Sequence, residues 1–245
     1  MLDLANLEAI FFDADDTLYR VNGSVGSRYA IHLEAHGHKV TPEEVDAVIL
    51  TAWKRLSGTY ENYEGGHKTS HERDKAIWYQ YVTNVMDELF GTLPSDQLFQ
   101  DIYDEFGRGH SRELQPHVEP FLKKLKATGL TTGVLTNNDR RIHSLIPELG
   151  LADYFDHVFC AADIGFKKPS RKLFDGVALE IGVAPEKILY IGDCPKNDIE
   201  GGKNAGWQVL HYSRSKNPLV DEEPEKPNSA AVECFSELVE SLHEK

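Results

Sequence analysis

Asp13 and Asp15 stand two residues apart in Phe11-Phe-Asp-Ala-Asp-Asp-Thr-Leu18, where an apolar run stops abruptly. Two carboxylates at the mouth of a buried strand suit either metal binding or a pairing of nucleophile with acid. Leu135-Thr-Asn137 offers a hydroxyl and an amide to an oxyanion, and Phe166-Lys-Lys-Pro169 offers positive charge just ahead of a helix. Ile191-Gly-Asp-Cys-Pro-Lys-Asn-Asp198 places two further carboxylates, Asp193 and Asp198, after another apolar run. Taken singly, each cluster has a plainer reading. An Asp-rich turn caps a helix, Thr136 and Asn137 suit a turn, and Asp198 suits a helix start. Lys167 competes with Lys168, and Cys194 beside Asp193 invites a thiol-nucleophile reading that no nearby His supports. The set, in this order, carries the weight.

The clusters sit where elements end. Near-continuous apolar runs at 8–12, 132–135, 158–161, 188–191 and 207–212 read as strands buried on both faces of a parallel sheet. Helical spacing separates them: Val118, Phe121, Leu122 and Leu125 before Gly129, then 140–149 closing at Gly150, then 172–181 closing at Gly182. Such alternation predicts an α/β fold with a doubly wound, mainly parallel Rossmann-like sheet. Between Leu18 and Leu114 the texture is helical. Thr41-Pro-Glu-Glu44 is a helix start, and amphipathic stripes follow at 45–56, 77–89 and 98–106 with no convincing strand among them. The expected organisation is an α/β core over 1–18 and 115–245 with an inserted helical domain over 19–114. Residues 213–230 read as an exposed connection, and 231–243 as a final helix burying Leu238 and Leu242.

Together the four clusters resemble the haloacid dehalogenase superfamily, whose phosphatases carry Asp-x-Asp-x-Thr, then Thr or Ser, then Lys-Pro, then Gly-Asp-x-x-x-Asp. The resemblance covers roughly residues 7–18 and 114–212. It implies Asp13 as nucleophile, Asp15 as general acid and base, and Thr17 as the hydroxyl that helps shape the loop after the nucleophile. It implies Thr136 and Asn137 at the phosphate, Lys168 as the stabilising charge, and Asp198 as an acid behind the site. Magnesium would lie on Asp13, Asp193 and the carbonyl oxygen of Asp15. The physics agrees, because a carboxylate attacking an anionic phosphate needs cations around it. The insertion between the first two clusters matches the family's helical cap, and Lys168 follows Thr136 by too few residues for the alternative cap. Asp15 tells against a dehalogenase, since those relatives lack it. The reaction implied is magnesium-dependent hydrolysis of a small phosphorylated metabolite, a sugar phosphate, nucleotide or small organic phosphate, through an aspartyl-phosphate. A phosphomutase similar to β-phosphoglucomutase is the alternative chemistry, and a catalytically silent binding module the alternative of another class. Asp16 stands where the family commonly has Gly.

Composition narrows the partners. With 40 acidic residues against 26 basic and a formal net charge of −14, no basic surplus exists to displace counterions from a nucleic acid polymer. No apolar stretch approaches a bilayer-spanning length, so no membrane partner is expected. Three scattered cysteines and no signal-like N-terminus predict a reduced, cytoplasmic protein. Within the insertion, His67, Lys68, His71, Arg73 and Asp74 follow Gly65-Gly66. This cluster reads as a solvated helix face, as a substrate-facing group, or, through His67 and His71 at i, i+4, as a metal pair.

Overall fold

The computed structural model describes residues 4, 6–61, 67–213 and 231–241. The elements run β1 (Ala9–Phe12), β2 (Tyr19–Val21), α1 (Val25–Ala35), α2 (Pro42–Glu61), α3 (His71–Phe90), α4 (Asp96–Glu105) and β3 (Arg112–Leu114). They continue with α5 (Val118–Lys126), β4 (Thr131–Thr136), α6 (Ile142–Glu148), β5 (His157–Cys160), α7 (Ala161–Ile164) and α8 (Arg171–Ile181). The chain closes with β6 (Ile188–Gly192), α9 (Gly201–Asn204), β7 (Gln208–Tyr212), β8 (Ala231–Val232) and α10 (Phe235–Ser241). Among the described residues no helix is long and apolar enough to cross a membrane.

The chain divides into two compact units, one of 1–20, 67–70 and 114–245, the other of 21–66 and 71–113. In the first, six strands lie in the order β5-β4-β1-β6-β7-β8, and every pairing is parallel. The doubly wound α/β sheet expected from the apolar runs is therefore present. Alternation along β1 feeds both faces. Ile10 and Phe12 pack with Val118, Phe121 and Phe235 on one side, while Ala9 and Phe11 meet Phe174, Val177 and Trp207 on the other. Burying a Phe ring in this way stabilises the fold by roughly 1.5–3 kcal/mol. From β1 the chain winds outward through β4 to β5, then returns to β6 on the opposite side of β1. This reversal opens a crevice at the carboxyl ends of the central strands, and Asp13 directly follows one of them.

The second unit packs α1–α4 around Leu33, Val45, Ala52, Val85, Met86, Leu98 and Ile102. Three features here go beyond the sequence reading. The helix α1 lacked a dense apolar stripe, and its start is set instead by Ser24, whose side chain and Ser27 cap each other's backbone N–H groups. Short strands do border the insertion, since β2 and β3 form a two-stranded sheet. Residues 67–70, inside the expected 19–114 insertion, belong to the first unit. Lys167 N–H donates to the His67 carbonyl at 2.8 Å, and Thr69 N–H to the Gly165 carbonyl at 3.0 Å. Backbone pairing on a neighbouring segment, which side-chain patterning cannot reveal, holds this tetrapeptide. His67 thus precedes α3 with φ of 65° and does not share a helix face with His71. The final segment also differs, with β8 extending the sheet before α10 buries Leu238. Leu242 and residues 214–230 lie outside the described residues.

An ion pair on the rim of the first unit yields a pH prediction. His143 Nε2 lies 3.1 Å from Asp163 Oδ2, and Asp163 also accepts the Cys160 N–H at 2.7 Å. The Asp163 hydrogen bond holds the His143 imidazole above its ordinary value, outweighing partial burial. Burial pushes the Asp163 carboxyl up, but the bonds from His143 and Cys160 outweigh it and leave it lowered. A raised His stabilises the fold fully below its unfolded value near 6.5 and ceases to do so as pH rises through its folded value. His143→Ala should therefore lower Tm more at pH 5.5 than at pH 8.5 in thermal unfolding. The half-exposed pair keeps the effect below about 1 kcal/mol.

Candidate active site

Asp13 is the first residue after β1, and its N–H donates to the Ile191 carbonyl of β6 at 2.9 Å. That bond carries the β1–β6 register one step past the strand and holds the carboxylate, 8% exposed, over the sheet edge. The chain then turns sharply. Asp16 N–H bonds the Tyr19 carbonyl at 2.7 Å, and Gln115 Nε2 holds the Asp16 carbonyl at 3.2 Å. Asp16 has φ of 63°, a left-handed conformation that Gly adopts freely and Asp tolerates better than most residues. The turn therefore accepts Asp16 where most other side chains would be strained. Thr17, fully buried, donates to Asp193 Oδ1 across a long 3.4 Å, linking the loop after β1 to the loop after β6.

Lys168 rises from the α8 side of the sheet into the same place. Its Nζ lies 2.7 Å from Asp13 Oδ1, 2.7 Å from Asp198 Oδ1 and 2.9 Å from Tyr190 Oη. Tyr190 in turn donates to the Leu135 carbonyl at 2.6 Å. Burial alone would lower the Lys168 ammonium, but Asp13 and Asp198 outweigh it and hold it well above its ordinary range. Burial drives the Asp198 carboxyl up to about 6, with Lys168 pulling down and Asp13 pushing up. Burial likewise raises the Tyr190 phenol, which stays a neutral donor. Of the two lysines in the third cluster, Lys168 has its ammonium on Asp13, while Lys167 gives its backbone N–H to His67.

Asp13, Asp193 and Asp198 bring carboxylate oxygens within 4.8 Å of one another. Asp198 is already occupied. Its Oδ1 takes the Lys168 ammonium, and its Oδ2 takes the Cys194 N–H at 2.9 Å. Asp13 and Asp193 are then the carboxylates best placed for a cation, and one ammonium among three carboxylates leaves a negative surplus. An all-oxygen donor set of this kind fits magnesium. His211 Nε2, 2.9 Å from the Asp193 carbonyl, steadies the loop from β7.

The second cluster divides its labour. Thr136 Oγ1 accepts the Asn138 N–H at 3.1 Å. The Asn137 carboxamide clamps the backbone of Lys168, donating to its carbonyl at 3.1 Å and accepting its N–H at 2.8 Å. Asn137 thereby sets the lysine in place, a role the sequence reading, which put its side chain at an anion, did not anticipate. That reading also missed Asn138, which donates to Asp15 Oδ2 at 2.9 Å. Tyr190 was missed too, although a lone hydroxyl inside an apolar strand is a usable signal. The Cys194 thiol is pushed up to about 11 by burial and by Asp198, which disfavours the thiolate that a thiol nucleophile needs.

Gly192 closes β6 directly before Asp193 for a steric reason. A Cβ there would lie 2.4 Å from Asp198 Oδ2 and 2.6 Å from its Cγ. Gly192→Ala should displace the carboxylate that holds Lys168. Expected results are about 1–3 kcal/mol of lost stability by denaturant titration and about a 100-fold lower kcat.

Residues 7–206 match the family model of haloacid dehalogenase-like hydrolases, most of the chain. The chain belongs to this hydrolase family. Among its relatives, haloacid dehalogenase-like hydrolase domain-containing protein 3 of Bos taurus is 27% identical over 204 residues, covering 82% of this chain and 79% of the relative. A phosphoserine phosphatase of Thermus thermophilus is 27% identical over 241 residues, covering 89% and 92%. The HAD-hydrolase YfnB of Bacillus subtilis, solved bound to magnesium, shares the fold with a TM-score of 0.75 at 22% identity, covering 97% and 99%. L-2-haloacid dehalogenase of Xanthobacter autotrophicus shares it as well, at 0.71 and 20%, covering 97% and 99%. Fold likeness therefore spans both phosphatases and dehalogenases within this hydrolase family, and the choice falls to the site.

Proposed function

We propose that this chain hydrolyses phosphate monoesters of small metabolites, using Asp13 as a covalent nucleophile with magnesium as its cofactor. The observation that carries the reading is the grip of Lys168 on Asp13 at 2.7 Å, with Asp193 beside it, at the crevice of the sheet. A dehalogenase sends off a halide, a stable anion that needs no proton. An alkoxide leaving a phosphoester does need one, and Asp15 in this site favours the phosphatase. The phosphoserine phosphatase relative supports the same choice.

The reaction runs in two halves. Asp13 Oδ attacks phosphorus in line, a phosphorus–oxygen bond to Asp13 forms, and the bond to the leaving oxygen breaks. Asp15 gives its proton to that leaving oxygen. In the second half Asp15, now ionised, takes a proton from a water whose oxygen attacks phosphorus. The bond to Asp13 breaks, and inorganic phosphate departs with both carboxyls restored. Lys168 offers the phosphoryl oxygens fixed positive charge, and Thr136 a hydroxyl. Magnesium on Asp13, Asp193 and the Asp15 carbonyl would supply the remaining positive charge that lets an anionic carboxylate meet an anionic phosphate.

The test is hydrolysis of an aryl phosphate by the purified protein with and without chelator. Activity should fall by at least about 100-fold on metal removal and return with magnesium. Full activity in chelator, or release of halide from a 2-haloacid with no phosphate release, would refute the reading.

A further inference from the structure

The loop leaving β4 reaches back to Asp15 through a residue the mechanism above does not use. Asn138 Nδ2 lies 2.9 Å from Asp15 Oδ2. The Asn138 carboxamide oxygen accepts the Asp139 N–H at 2.8 Å, and its backbone N–H donates to Thr136 Oγ1 at 3.1 Å. Because the oxygen is taken by an N–H donor, the end of the amide facing Asp15 is the NH₂. Behind it Asp139, 1% exposed, forms a two-pronged pair with Arg141 through Nε and Nη2, each at 2.8 Å. It also accepts the Arg141 backbone N–H at 3.0 Å. Such a fork fixes Asp139 in both position and plane.

We propose that Asn138 is a positioning residue for Asp15, held in register by the Asp139–Arg141 pair. The inference rests on Asp15 acting as general acid and base. An amide NH₂ donates to a carboxyl oxygen whether that carboxyl is ionised or neutral, since the carbonyl oxygen of the neutral form still accepts. Asn138 therefore tethers the carboxyl at Oδ2 through both halves of the reaction. The Asp15 proton passes to the leaving oxygen, and a second arrives on Asp15 from the attacking water. Without the tether the carboxyl rotates, and proton delivery loses its alignment while Asp13 and Lys168 keep theirs.

Dependence on the leaving group separates this role from a structural one. The full-length protein, supplied with magnesium, is assayed for kcat/KM on monoesters from 2,4-dinitrophenyl phosphate to alkyl phosphates. Asn138→Ala should lose about 10- to 100-fold on alkyl phosphates, the worth of one hydrogen bond to an ionisable group. On the dinitrophenyl ester, whose leaving group departs without a proton, the loss should stay under about threefold. No loss, or an equal loss across the series, would overturn the proposal. Asp15→Asn measured in parallel should show the same selectivity at greater depth. If it shows none, the general-acid reading itself falls and the tether with it. If Asp15→Asn is selective and Asn138→Ala is not, the tether alone falls. Should the Ala variant not fold, Asn138→Ser carries the same test, because its short hydroxyl side chain keeps a polar group in the loop without reaching Asp15 Oδ2.

Discussion

Asp13→Asn is expected to lower kcat by at least about 10⁴-fold, the scale of loss when a covalent nucleophile is removed. The amide keeps the shape of the carboxylate but is a poor nucleophile toward phosphorus. Stability should move the other way. Asp13 is one of three carboxylates crowded within 4.8 Å around a single ammonium, and Lys168 keeps Asp198 at 2.7 Å when Asp13 is neutral. Relieving like-charge repulsion in a buried site stabilises, so the variant should unfold at the same temperature as the parent or higher. Paired measurements of kcat and Tm check both halves. A variant that is inactive because it has unfolded would contradict the expectation.

Lys168→Met is expected to fail on both counts. The side chain is 3% exposed, and its ammonium is shared by Asp13, Asp198 and Tyr190. Removing it leaves buried carboxylates without their cation, which costs about 3–5 kcal/mol. Loss of the charge facing the phosphoryl group adds about a 10²- to 10³-fold fall in kcat. The stability loss also carries a pH signature. Burial already drives Asp198 up to about 6, and Lys168 is what pulls it down, so the variant moves it higher still. A carboxyl raised in the folded state binds its proton more tightly there than in the unfolded chain. Its folded form gains as pH falls through that raised value toward the ordinary carboxylate range. Urea unfolding in chelator-treated buffer should thus show a larger deficit for the variant at pH 8 than at pH 5. A pH-independent deficit would place the loss in packing of the side chain rather than in its charge.

Asp13 and Lys168 are legible in the amino-acid sequence, and several of the groups around them are not. The buried strands could be read because parallel strands covered on both faces are apolar almost throughout, and the carboxylates stood where those runs stop. Asp13, Lys168 and Asp198 are legible from their motifs, and the fold brings both carboxylates within hydrogen-bonding distance of the Lys168 ammonium. What stayed hidden is what depends on approach from a distant segment. Tyr190 shows a lone hydroxyl in the apolar run of β6, but its partner stays hidden until Lys168, 22 positions earlier, meets it. Asn138 reads as a turn residue until the chain from Asp15, 123 positions away, comes alongside. The tetrapeptide at 67–70 shows the same limit in backbone form, since it is placed by pairing with Gly165 and Lys167 and by no pattern of its own. The Asn137 carboxamide, read from its motif as a group offered to an anion, engages the Lys168 backbone with both ends, a contact no motif displays.

Rapid acid quench of a single turnover with a ³²P-labelled phosphomonoester, followed by peptide mapping, bears most directly on the chemistry claimed for position 13. A covalent label should appear on the peptide carrying Asp13, rise before free phosphate, and be absent in Asp13→Asn. Phosphate released at full rate with no label, or a label on another residue, would contradict the account.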